Sequence, residues 1–189
     1  MEQRFNLHKI EVRKAENGDQ TLSGYAAVFD SPSCDLGGFT EFVKRGAFKE
    51  TLKNDVQKAL WNHNSDHVLG STRSETLKLW EDEKGLAFEL KVPNTQAGRD
   101  VYESVSRGDV DGNSFGFNIE ECEWDEKDEK NIRCNLTKVR LVEISPTPFP
   151  AYGETSIGIR SAYEKYKKEN VVPNYENEKR KLEILQMED

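Results

Sequence analysis

The sequence predicts an α+β fold, a mostly antiparallel β-barrel with a few surrounding helices, on three observations. Short strand-like segments recur through about residue 150, Gly-containing turns separate several of them, and only two stretches carry helical spacing. Phe5 to Val12 and Leu22 to Phe29 flank Glu16-Asn17-Gly18-Asp19. Its Asn-Gly step favours a tight reversal, so the pair reads as a hairpin. Ser31 to Gly38 is a loop rich in Ser, Pro and Gly. A short helix is expected over about Glu41 to Leu52, with Phe42, Phe48 and Leu52 for one face, although Gly46 works against it.

Val56 to Trp61 reads as a strand that delivers Asn62-His63-Asn64 at its end. Leu77 to Trp80 and Leu86 to Val92 form a second hairpin around Glu83-Lys84-Gly85. Thr95 is placed to cap a better helix that carries Val101, Tyr102 and Val105 and closes at Gly108. Strand signals return at Ser114 to Ile119 and at Ile132 to Ile144, with the charged run Glu123 to Lys130 as a solvated loop between them. After Arg160 the character changes. Of the 29 residues from Ser161 to Asp189, 13 are charged, and Pro173 interrupts any single helix. The expected division is a core over 1–160 and a charged tail over 161–189.

The 189 residues are about one domain's worth. Only 35% are hydrophobic, but nine Phe, six Tyr and three Trp supply bulk for an interior. The net charge of −8 argues against nucleic acid as the main partner, because phosphate binding needs a local excess of Lys and Arg. The start of the chain lacks the apolar run of a signal peptide, and no stretch of about 18 apolar residues exists to span a membrane. Three cysteines, Cys34, Cys122 and Cys134, make no disulfide framework, so a reducing, cytoplasmic setting is expected.

Gly112-Asn113-Ser114-Phe115-Gly116 matches G-x-S-x-G, in which small neighbours let a nucleophile's backbone turn tightly. Alone the match is weak, and a small-residue kink entering a strand explains it more readily. An α/β-hydrolase needs its histidine after the serine, yet His8, His63 and His67 all precede Ser114. A chymotrypsin-like enzyme fits poorly too, since no Gly-Asp-Ser-Gly-Gly segment is present. His63, at the end of an apolar strand, is better placed as a general base than His67 in a polar loop or His8 in a strand. His63 and His67 share the spacing of a zinc-protease pair but lack its Glu, so neither a metal nor another cofactor is expected. Glu143, flanked by apolar residues, is either on a solvent face or aimed at a partner. Asp66 is the alternative acid.

Together these pieces resemble the caudovirus prohead protease family, whose fold is similar to herpesvirus assemblin. The resemblance runs in order from Gly24-Tyr25-Ala26-Ala27-Val28-Phe29 through Arg45-Gly46-Ala47-Phe48 and Leu60-Trp61-Asn62-His63. It continues through Leu69-Gly70-Ser71-Thr72, Gly85-Leu86, Arg107-Gly108-Asp109-Val110 and Ser114-Phe115-Gly116-Phe117. It ends with Leu141-Val142-Glu143-Ile144-Ser145 and Pro150-Ala151-Tyr152. The family's histidine falls on His63, its serine on Ser114 and its acid on Glu143. One departure is Asn64, where the family commonly has Asp. The resemblance implies a herpesvirus-protease-like barrel and a serine endopeptidase that acts on the major capsid protein, on scaffold segments and on itself. It would do so inside the assembling prohead in the bacterial cytoplasm, with self-association allowed; the charged tail fits a docking or autolysis segment, and equally a solubilising tail with no role. The competing expectations are a non-enzymatic scaffold or shell component and an esterase using the same dyad.

Overall fold

The computed structural model describes residues 1–6, 9–16, 18–36, 38–126 and 131–148. Ten strands and two helices lie among them, in two sheets. The larger sheet has the order β1-β9-β10-β5-β6, with β4 also on β10. Its strands are β1 (Glu2–Asn6), β4 (Phe39–Val43), β5 (Lys58–Trp61), β6 (Asn64–Ser71), β9 (Gly112–Asp125) and β10 (Ile132–Thr147). The smaller sheet runs β2 (Glu11–Lys14), β3 (Gln20–Val28), β8 (Gly85–Lys91), β7 (Leu77–Glu81).

Local signals set much of this. The β2–β3 hairpin closes through Ala15 N–H to the Asp19 carbonyl at 2.9 Å. The β7–β8 hairpin forms where the sequence places it. Helix α2 (Gln96–Arg107) starts at Thr95, whose side chain accepts from Gly98 N–H at 3.1 Å. It stops at Gly108, whose φ of 81° is the left-handed conformation that glycine adopts without steric cost. Val101 and Val105 form its buried stripe.

Three elements depart from the sequence reading. The strand expected over Phe5 to Val12 is divided: β1 joins the larger sheet and β2 the smaller, with residues 7–8 and so His8 outside the described residues. The helix expected over Glu41 to Leu52 is mostly strand. Phe39, Glu41 and Val43 alternate inward in β4, a turn follows at Gly46, and α1 spans only Lys49–Asn54. His67 lies in β6 rather than in a loop.

The cysteine reading also changes. Cys122 and Cys134, 12 residues apart in sequence, meet across β9 and β10 with Cα atoms 5.8 Å apart and are joined as a disulfide. Cys34 is exposed. The proposed tail lies outside the described residues, and no described helix is long and apolar enough to cross a membrane.

The expected barrel is only approached. Among the described residues the hydrogen-bonded order of neither sheet closes on itself. The larger sheet nevertheless coils strongly. Arg4 on β1 stands opposite Phe115, while Glu41 on β4 stands opposite Cys134, which is opposite Trp124. On a straight β9 those levels would be about 30 Å apart at ordinary strand rise. Arg4 Nε nevertheless reaches Glu41 Oε2 at 2.6 Å. Register shifts between Leu136 and Val139 supply bends, as bulges do. Inside the coil Phe115 stacks on Phe117 at 5.0 Å and meets Phe48 edge-on at 5.9 Å.

Thr95→Ala removes the α2 cap and is expected to lower unfolding free energy by about 1 kcal/mol, read from the urea midpoint at unchanged slope.

Candidate active site

β5 ends at Trp61, which pairs with Asn64 at the start of β6, so Asn62 and His63 form a two-residue turn. Both have positive φ, 50° and 60°, as a primed hairpin turn requires. For side chains with a Cβ that conformation costs on the order of 1–2 kcal/mol per residue. Three contacts to β10 offset it. Asn62 N–H donates to the Pro146 carbonyl at 3.1 Å, and His63 N–H donates to Ser145 Oγ at 3.1 Å. Thr147 Oγ1 donates to Asn62 Oδ1 at 2.7 Å. At about 1 kcal/mol each, these bonds roughly cancel the strain and fix the imidazole's backbone against β10. Asn64 Oδ1 accepts from Asp66 N–H at 2.9 Å, which starts β6.

Opposite β10, β9 carries Ser114. Phe115 faces Ile144 and Phe117 faces Leu141 across the two strands, all buried on one side. Between these pairs β9 has one residue, Gly116, whereas β10 has two, Val142 and Glu143. The extra residue reverses the facing parity. Without it Glu143 would share the apolar face of Leu141. With it, Glu143 pairs with Gly116 and Ser145 with Ser114, so all four lie on the other face of the sheet.

Glu143 is 1% exposed, and both its oxygens are engaged. Oε1 lies 2.7 Å from His63 Nδ1, and Oε2 accepts from Ser145 Oγ at 2.6 Å. A carboxylate only accepts, so Nδ1 is the donor, and in the neutral imidazole Nε2 keeps the lone pair. The arrangement can therefore hold one imidazole tautomer and stabilise its cation. Ser114 is fully buried, and its hydroxyl donates to the Arg4 carbonyl on β1 at 2.8 Å. Among the described residues no hydrogen bond joins His63 to Ser114.

Of the residues singled out from sequence, the structure brings Glu143 and not Asp66 to His63. Asp66 and His67 are exposed on β6, and Arg140 is exposed on β10. Two contributors escaped the sequence reading. Ser145 bridges the His63 backbone and the carboxylate, and its spacing of two from Glu143 on a strand was the available signal. Gly116 is the other: a Cβ there would collide with Glu143 Oε1 and crowd Met1 Sδ.

The structure thus brings Glu143 to His63 and sets Glu143 on the sheet face that carries Ser114, with the three residues in the chain order histidine, serine, acid. Residues 8–169 match the family model described as caudovirus prohead serine protease, and the chain belongs to that family. The prohead protease of Enterobacteria phage HK97 is 28% identical over 158 residues, which take in 81% of this chain and 66% of that protein. The matched region thus spans just under two thirds of that relative's length. Among solved structures, the capsid assembly protease of bacteriophage T4 is similar with a TM-score of 0.47 and 9% identity, over 78% of this chain and 100% of that one.

Gly116→Ala is expected to force Glu143 aside and lower stability by about 1–3 kcal/mol, the usual range for an added methyl in a packed site. Chemical denaturation checks it; an unchanged midpoint would mean that the carboxylate has room to move.

Proposed function

We propose that the chain is a serine endopeptidase that cleaves capsid and scaffold proteins, and itself, while phage proheads mature in the host cytoplasm. The observation that carries this reading is the buried Glu143 bonded to His63 on the face shared with Ser114. Family membership supports it, as does the name of the HK97 relative, a prohead protease.

In this reading Ser114 is the nucleophile, His63 the base and Glu143 the acid that orients His63. His63 Nε2 takes the hydroxyl proton as Ser114 Oγ attacks the peptide carbonyl. The tetrahedral intermediate then expels the amine, to which His63 passes the proton, and an acyl-enzyme remains on Ser114. Water, deprotonated by the same nitrogen, then frees the acid product. Glu143 keeps the proton on Nδ1 throughout and lowers the energy of the imidazolium in each transfer. The coil of the larger sheet and the Arg4–Glu41 contact support a barrel related to herpesvirus proteases. Residues 161–189 are proposed as a tail outside the 1–160 protease domain, for docking or self-cleavage.

Co-expression with the capsid protein of the same phage, followed by mass spectrometry, tests the reading. Cleaved capsid with the intact chain and none with Ser114→Ala is the expected result. Equal processing by both would remove Ser114 as nucleophile. No processing by either, in shells that had assembled, would favour the scaffold reading instead. Glu143→Gln keeps the shape but loses the charge, and should slow turnover on the order of a thousandfold or more.

A further inference from the structure

The edge of β9 beside Ser114 is filled by β1, which pairs antiparallel from Glu2 opposite Phe117 to Asn6 opposite Asn113. The contact at the serine has the form of a bound peptide. The Arg4 carbonyl oxygen lies 2.8 Å from Ser114 Oγ, so a peptide carbonyl already stands beside the candidate nucleophile. The hydroxyl has one proton to donate. While that proton points at Arg4, it does not point at His63. The serine is also fully buried. In this arrangement the site is closed.

The Arg4 side chain enters the interior of the coil. Its guanidinium lies over the Phe117 ring, 5.6 Å from the centroid, and Nε meets Glu41 Oε2 at 2.6 Å. Nη1 donates to the Gln3 carbonyl at 2.7 Å and to Glu2 Oε2 at 3.4 Å, but among the described residues Arg4 Nη2 and Glu41 Oε1 are buried without a hydrogen-bond partner. An arginine could pair with a carboxylate through two parallel bonds, so this strand is held by less than the pocket can give. Glu41 itself is 2% exposed. Burial pushes its carboxyl above the ordinary range while Arg4 pulls it down. If β1 left and nothing cationic replaced it, the Glu41 carboxylate would lose its Arg4 pair, which is unfavourable for a charge set so deep in the protein.

We propose that the β9 edge beside Ser114 is the seat of an extended substrate segment, that β1 occupies it as an internal pseudosubstrate, and that Glu41 with Phe117 selects a basic side chain on the strand bound there. The proposal rests on the reading of Ser114 as nucleophile. Backbone pairing to β9 supplies sequence-tolerant affinity, as in other cases of strand addition, and the Glu41 pocket supplies the preference. A substrate strand with Arg or Lys displaces β1 and restores the charge pair. A neutral strand leaves Glu41 unpaired and competes poorly.

Labelling of Ser114 by a small fluorophosphonate, followed on the full chain, separates the parts. Arg4→Ala is expected to label about tenfold faster than the unmodified chain, since it loses one side of a buried charge pair. A peptide with the sequence of residues 2–6, Glu-Gln-Arg-Phe-Asn, should protect this variant, and the same peptide with glutamine in place of its arginine should not. Glu41→Gln, an isostere that serves if Arg4→Ala fails to fold, should also label faster but lose protection by the arginine peptide. Ser114-dependent labelling at the same rate in all three proteins overturns the pseudosubstrate. Equal protection of Glu41→Gln by both peptides, at the concentration that protects Arg4→Ala, overturns the pocket. Labelling that survives Ser114→Ala removes the serine reading itself, and this proposal with it.

Discussion

Glu143 is almost wholly withdrawn from water, and a carboxylate in that position must be given donors or lose its charge. Hydrogen bonds to a charged group contribute about 1.5–3 kcal/mol each, so two of them can offset a burial cost of several kcal/mol. Glu143 has the two it needs, from His63 Nδ1 and Ser145 Oγ. Each donor is itself positioned by the other, because Ser145 Oγ accepts the His63 backbone N–H. The three residues form a closed ring of hydrogen bonds in which no member moves without unpairing another. The rest of the site is arranged to permit that ring. The extra residue in β10 turns Glu143 to the serine's face, Gly116 leaves space for the carboxylate, and the strained Asn62–His63 turn brings the imidazole within reach.

The strained turn also explains why a histidine can be held precisely on a connection between strands. A turn of this class most readily accepts Asn-Gly. A histidine in the second position has left-handed backbone conformation and is tolerated only where surrounding bonds fix it. Here those bonds all come from one segment, Ser145 to Thr147, which continues directly from Glu143. Glu143 and the anchors of His63 therefore belong to a single run of β10. Any shift of that run carries His63 with it, and the His63–Glu143 contact survives small movements of the sheet.

Much of the scaffold was legible because its signals are local. The Thr95 cap, the Gly108 stop and the β7–β8 hairpin each depend on a few adjacent residues. β4 was not legible, because Glu41 occupies the middle of its buried series Phe39, Glu41, Val43 and hides the alternation that marks a strand. Only a partner far away in sequence makes a carboxylate acceptable there, and that partner is Arg4. The start of β6 was missed for a related reason: Asn64 to His67 are all polar and exposed, so no apolar period survives. At the site, His63, Ser114 and Glu143 emerged through their order along the chain and the resemblance it carried. Their contacts did not, because the bulge that reverses Glu143 leaves no mark in the sequence Leu141-Val142-Glu143-Ile144-Ser145.

The same strand that presents Ser114 also poses a problem of sheet edges. An uncovered edge exposes unpaired N–H and C=O groups and invites pairing with any extended chain. A protease that reads its substrate as a strand needs such an edge, yet an edge left open pairs with any extended chain. A short strand of its own chain meets both demands when its hold is real but imperfect. β1 pairs five residues to β9 and inserts Arg4 toward Glu41, yet one nitrogen and one oxygen of that pair find no hydrogen-bond partner among the described residues. The orphaned atoms lower the cost of exchange without opening the edge, because only a strand that carries its own cation can take the place of β1 without leaving Glu41 unpaired. Access to the serine and choice of substrate then become one event.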